Sequence, residues 1–143
     1  MAAKVGWCMT ERGLSTPDPD QLPSLALAYI GDVVWELYAR NRVMERGEIR
    51  PNRLHKATVK YVQASAQAQA LRGYWSNLSE QEQTIAKRAR NAKSGTVPKN
   101  ANVADYRYAT GLEALIGYLY LRGGLDGRLD QIVAAMFADL EKQ

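Results

Sequence analysis

The chain has 143 residues, 46% hydrophobic and 24% charged, with a net charge of +4, which suits one soluble globular domain with a real core. Its single cysteine, Cys8, and single histidine, His55, exclude an intrachain disulfide framework, a cysteine-based zinc site and a histidine-rich metal centre. No apolar run resembles a signal peptide or approaches the roughly 20 residues of a membrane span, so a reducing, cytoplasmic setting away from membranes is expected.

Residues 1–23 read as a loosely ordered N-terminal leader, ending in the proline- and aspartate-rich stretch Ser15 to Pro23. The remainder, 24–143, reads as a single domain. Ser24 is placed to cap a helix from Leu25 to about Met44, closed by Arg46-Gly47. Pro51 opens a second helix that the pattern carries to about Leu71, with Gly73 as its end. Ser79 followed by Glu80 and Glu82 predicts a capped third helix to about Asn91. A polar, turn-forming loop fills residues 91–102. A helix from about Val103 to Arg122 follows, stopped by Gly123-Gly124, and a last one spans Leu125 to Leu140. No alternating strand pattern stands out, so the fold class expected is all-α.

Charge is unevenly spread. From Ile49 to Ala104 there are ten lysines and arginines against Glu80 and Glu82, a net +8. The rest holds nine bases against thirteen acids, a net −4. A basic middle of this kind suits a polyanionic partner, or simply a solvated helix surface.

Two carboxylates interrupt stretches that are otherwise apolar and small. Asp32 lies in Leu25 to Trp35, and Glu113 in Tyr106 to Leu121. A buried, unpaired carboxylate costs several kcal/mol or is forced to neutralise, so each is expected to have a partner: a cation, a donor network or a metal. Gly111, Ala114 and Gly117 form a thin helix stripe, and Gly31 precedes Asp32. Glycine inside a helix costs about 1 kcal/mol relative to alanine, which points to a close helix crossing. Such a crossing brings two anions together, and a divalent cation is the simplest way to hold them. The plainer alternative is that each acid is bonded to a nearby Tyr or Arg, such as Arg107.

Several motifs then occur in order: Leu27-Ala-Tyr-Ile-Gly-Asp-Val-Val-Trp-Glu36, Pro51-Asn-Arg-Leu-His-Lys56, Lys87-Arg-Ala-Arg-Asn-Ala-Lys-Ser-Gly-Thr96, Pro98-Lys-Asn100 and the stretch Tyr106 to Leu121. Together they resemble the catalytic domain of the ribonuclease III family, most closely its short form, Mini-ribonuclease III. The resemblance implies an all-helical endonuclease fold working as a homodimer. It implies Mg²⁺, with Mn²⁺ able to substitute, and hydrolysis of double-stranded RNA to 5′-phosphate and 3′-hydroxyl ends. Larger relatives append a double-stranded-RNA-binding domain, and the short form is linked to maturation of large-subunit (23S-type) precursor ribosomal RNA, with ribosomal protein assistance as one further implied partner.

The resemblance also assigns residues. Larger relatives use four carboxylates; here the first position of each pair is Ala28 and Thr110, leaving Asp32 and Glu113 as catalytic and metal-binding acids. Glu36, one turn beyond Asp32, is placed either to contribute at the site through a water or to pair with Arg40, and His55 need not be catalytic. For RNA, the candidates are Lys87, Arg88, Arg90, Asn91, Lys93, Ser94, Lys99 and Asn100, with Arg50, Arg53 and Lys56 as a second patch. Tyr29, Trp35, Tyr118 and Tyr120 exceed what a small core needs, and some are candidates for a subunit interface. The competing function is a catalytically weak or inactive RNA-binding module on the same fold.

Overall fold

The computed structural model describes residues 7–9, 15–92 and 97–142. Among these are six α-helices: α1 (Ser24–Glu45), α2 (Pro51–Val62), α3 (Ala64–Tyr74), α4 (Glu80–Asn91), α5 (Val103–Gly123) and α6 (Gly127–Glu141). The fold is all-α. One short antiparallel ladder, β1 (Trp7–Met9) with β2 (Ser15–Pro17), lies in the leader. At three residues a strand is too short for alternation to register in a sequence.

Helix α5 is the hub, packing against α1, α3, α4 and α6. It is apolar nearly all round, as a central helix must be. The core it organises joins Trp35, Leu71, Leu112, Leu115, Ile116, Ile132 and Met136, each essentially inaccessible to solvent. Trp35 meets Phe137 edge-on, with ring centroids 4.9 Å apart. Its indole N–H donates to the Tyr61 carbonyl at 2.9 Å, so the ring is buried without an unpaired donor. No helix among the described residues is long and apolar enough to cross a membrane.

Two boundaries differ from expectation. Pro23, not Ser24, occupies the cap of α1, and its carbonyl accepts from the amides of Ala26 and Leu27. Ser24 is therefore the first helical residue. The helix expected over 51–71 is two helices, broken at Gln63, whose backbone is extended (φ −63°, ψ 151°). Gln63 ends α2 and starts α3 at once, its carbonyl accepting from Ala66 and Gln67. The break redirects the chain: α2 packs on α1, whereas α3 carries Ala66, Ala68, Ala70 and Leu71 onto α5 and α6. One straight helix could not face both. Elsewhere the local signals hold. Ser79 and Glu82 form a reciprocal capping box at 3.1 and 2.8 Å, and Gly124 stops α5 with φ 76°.

Ion pairs tie the ends of the chain to the bundle. Asp20 accepts from the Tyr118 hydroxyl at 2.8 Å and from Arg122 at 2.9 Å, docking the end of the leader on α5. Glu82 is buried and takes two guanidinium bonds from Arg128, at 2.8 and 3.0 Å. Glu141 accepts from Arg42 at 2.6 and 2.7 Å, from Tyr61 at 2.7 Å and from Arg46 at 3.0 Å.

The hydrogen bond from Arg42, with those from Tyr61 and Arg46, pulls the Glu141 carboxyl from its ordinary 4.5 down to about 2. A folded-state value below the unfolded one stabilises above the ordinary value, and that stability is lost as pH falls toward 2. Both arginines are substantially exposed, so the contribution is discounted to about 1–2 kcal/mol. Glu141→Gln is accordingly expected to unfold about 1–2 kcal/mol more easily than wild type in urea at pH 7. The gap should narrow below pH 4.5 and close as the titration is repeated toward pH 2; a gap independent of pH would refute the assignment.

Candidate active site

Helices α1 and α5 touch backbone to backbone. A Cβ at Gly31 would lie 1.6 Å from the Glu113 carbonyl oxygen and 2.8 Å from the Gly117 nitrogen. A Cβ at Gly117 would lie 2.0 Å from the Leu27 carbonyl oxygen. The small-residue stripe therefore does what its spacing predicts. On the third side of α5, a Cβ at Gly111 would sit 2.9 Å from the Ala86 carbonyl of α4. The crossing sets the two acids together, because Asp32 directly follows Gly31 and Glu113 supplies the carbonyl that Gly31 meets.

The two acids are not equivalent. Glu113 is half-buried, whereas Asp32 is exposed, so the expected burial holds for one and not the other. Asp32 misleads because its apolar neighbours are themselves exposed: Tyr29 at 82% and Val33 at 62%. Burial, and next the charge and hydrogen bonding of Asp32, push the Glu113 carboxyl up to about 8. A hydrogen bond from Gln67 acts the other way. Neither acid has an ion-pair partner among the described residues, and Arg107 is exposed without one, so the alternative of an arginine tether is not what the structure contains.

A carboxylate pair of this kind, without an ion-pair partner, fits a divalent cation, whose charge would oppose the burial and the Asp32 repulsion that raise the Glu113 value. Among the described residues no third His, Cys, Asp or Glu joins the pair. Such a site would leave several coordination positions to water, as Mg²⁺ commonly does. Ala28 is buried, and the Thr110 hydroxyl donates to the Tyr106 carbonyl at 3.0 Å. Glu36 is engaged by Arg40 at 2.9 Å.

Sequence reasoning missed Gln67. It is 4% exposed on α3, and its side-chain amide donates to Glu113 Oε2 at 3.4 Å. Its signal was faint: one amide on the buried side of an alanine- and glutamine-rich helix, four residues before Leu71.

The cationic candidates divide. Lys87 and Arg88 are exposed on the last turns of α4, and Arg90 and Asn91 follow them there. Lys87, Arg88 and Arg90 form no ion pair among the described residues. Arg90 lies 5.3 Å from the Tyr108 ring centroid and Arg72 lies 4.2 Å from it, a double cation–π arrangement with no sequence signal. Lys99 and Asn100 are exposed in the following loop, with Asn100 left-handed at φ 73°. Lys93 and Ser94 fall outside the described residues. Arg53 and Lys56 are exposed, as is His55, but Arg50 is held by Glu48 at 3.2 Å. Trp35 and Tyr118 are core residues. Tyr29, in contrast, joins Leu25, Val33, Leu37 and Met44 in an exposed apolar stripe along α1.

The Ribonuclease III domain model matches residues 25–124, from the first turn of α1 to the cap of α5. The chain belongs to the ribonuclease III family. Within it the similarity is to Mini-ribonuclease 3 proteins. The one from Symbiobacterium thermophilum is 46% identical over 125 residues, covering 87% of this chain and 95% of that one. The one from Brevibacillus brevis is 46% identical over 126 residues, covering 88% and 93%. A crystal structure of a Fusobacterium nucleatum protein superposes with a TM-score of 0.74 at 31% identity, covering 87% of this chain and 98% of that one. As a ribonuclease III family member of the Mini-ribonuclease 3 group, the chain is an endoribonuclease.

Proposed function

We propose that this endoribonuclease cuts double-stranded RNA at a Mg²⁺ centre held by Asp32 and Glu113. The observation that carries the reading is the carboxylate pair, with no ion-pair partner among the described residues, held at the Gly31–Gly117 crossing. A bound divalent cation supplies Lewis-acid stabilisation of the charge on the scissile phosphate and acidifies a water. Asp32, open to solvent, and Glu113, partly enclosed beside it, provide the anionic oxygens that orient it. The substrate-positioning work falls to Lys87, Arg88, Arg90, Asn91, Lys99 and Asn100, with Lys93, Ser94, Arg53, Lys56 and Arg50 as further contacts. A-form RNA hides its base edges in a narrow major groove, so phosphates, 2′-hydroxyls and shape carry recognition. The exposed stripe of α1 would be covered by a second copy, giving a homodimer whose two sites face the two strands of a duplex. The family resemblance supports precursor ribosomal RNA of the large subunit as the substrate, in the cytoplasm, with a ribosomal protein as a further partner.

The test is incubation of wild type with a generic RNA duplex with and without Mg²⁺ or Mn²⁺. Metal-dependent cutting to 5′-phosphate and 3′-hydroxyl ends is expected. Binding of duplex and of precursor ribosomal RNA without cutting of either would overturn the reading in favour of a binding module.

The cations give a separate prediction. Removing Lys87 and Arg88 together by alanine substitution should weaken duplex binding about tenfold at moderate salt, and reduce the slope of log affinity against log salt by about one per charge. Cutting at saturating RNA should be unchanged. Filter binding across a salt series decides it, and an unaltered slope would remove both residues from the interface.

A further inference from the structure

Gln67 has no role in the reading above, yet its place is costly. Its side chain is 4% exposed, between the buried Ala66 and Ala68 and one turn from Leu71. A buried amide is worse than an apolar side chain of the same volume unless its hydrogen bonds are made. Among the described residues, Glu113 Oε2 is the one side-chain partner it reaches, at 3.4 Å. The contact joins α3 to α5 across 46 residues of sequence, so it is not a local helix bond. The Gln63 break makes it possible by turning α3 away from the α2 direction and onto α5.

We propose that Gln67 is a positioning residue for the nuclease centre: its amide N–H holds one oxygen of Glu113, leaving the carboxylate aimed at Asp32. This rests on the proposal that the two acids bind a divalent cation. A half-buried glutamate with three side-chain torsions has several rotamers to choose from, and a fixed donor selects one before the ion arrives. Among the described residues no third His, Cys, Asp or Glu joins the pair, so the amide adds fixation without adding charge.

The experiment compares wild type, Gln67→Met and Gln67→Glu, all in the full chain, with folding checked by thermal melts. Mn²⁺ affinity is read directly by electron paramagnetic resonance, and duplex cleavage supplies kcat and KM. Gln67→Met keeps shape and loses the donor. It is expected to bind Mn²⁺ about ten- to a hundredfold more weakly and to lower kcat at limiting metal, with KM for duplex unchanged. Wild-type Mn²⁺ affinity in Gln67→Met overturns the proposal, as does a defect confined to KM. Gln67→Glu, its buried carboxyl held protonated beside Glu113, keeps an O–H donor and is expected to retain more Mn²⁺ affinity than Gln67→Met; an equal loss in the two variants would show that packing and not the donor is what the position supplies, and would equally overturn it. The two readings separate cleanly. If wild type cuts and Gln67→Met is unaffected, only the role of Gln67 falls. If wild type binds Mn²⁺ in a Gln67-dependent way but never cuts duplex, the substrate reading falls and the positioning role stands. If wild type binds no Mn²⁺, both fall.

Discussion

Asp32→Asn and Glu113→Gln should each slow duplex cleavage by a factor on the order of a thousand or more, about 4 kcal/mol of lost transition-state stabilisation, without weakening the fold. The second half discriminates. Were the acids structural, removing either would unpair a buried partner and destabilise by a few kcal/mol. Here each acid faces the other, Glu113 also accepts from the Gln67 amide through an oxygen that a glutamine side chain keeps, and burial penalises the Glu113 charge. Neutral isosteres relieve both effects, so Glu113→Gln should unfold at equal or higher urea concentration, by up to about 1 kcal/mol. Single-turnover cleavage at saturating Mg²⁺ and urea titrations on the same preparations make the comparison. Variants that lose stability and cut normally would place the pair among structural contacts.

Gly31→Ala should cause the largest structural effect of any single methyl in the molecule's helices. The added carbon would lie 1.6 Å from the Glu113 carbonyl oxygen, 2.6 Å from its carbon and 2.8 Å from the Gly117 nitrogen. All three are backbone atoms, which no rotamer change can move aside. Alanine normally favours a helix interior by about 1 kcal/mol, so propensity and packing oppose each other here. Overpacking usually costs 1–3 kcal/mol, and a backbone clash belongs at or beyond about 3. Relief requires α1 and α5 to separate, which parts Asp32 from Glu113. Stability and cleavage should therefore fall together. The control is Gly47→Ala, where no atom lies within 4 Å of the added carbon and strain comes only from φ 97°. That change should cost about 1 kcal/mol and leave cleavage intact. Normal thermal stability in Gly31→Ala would refute the crossing.

Much of this arrangement was legible in the residues. Gly31 and Gly117 announced a close crossing of α1 and α5, and Gly111 the approach of α4, because glycine inside a helix is costly unless a neighbouring backbone needs the space. Ser79 and Glu82 announced the start of α4 because a capping box is a local device, complete within four residues. What could not be read depended on distant partners. The Gln63 break contains neither glycine nor proline; it exists because α2 and α3 bury their faces against different helices. The exposure of Asp32 was hidden because Tyr29 and Val33 look like core residues although they face outward. Gln67 was hidden because its only distinction is a contact with Glu113 on another helix. In the RNA-binding set, the charge surplus of the middle segment was plain, but only the structure separates Arg50, engaged with Glu48, from Lys87 and Arg88, which are free of ion pairs among the described residues.

The α1–α5 crossing also bears on how the enzyme comes into being. Asp32 and Glu113 are eighty-one residues apart in the chain, so they meet only across one of its longest loop closures. A growing polypeptide that has released α1 through α4 holds half of the acid pair and lacks the hub on which α1, α3 and α4 pack. The proposed nuclease centre thus cannot precede the body that encloses it. With the two acids as its catalytic pair, every unfinished copy would be silent toward RNA until its second-to-last helix has docked.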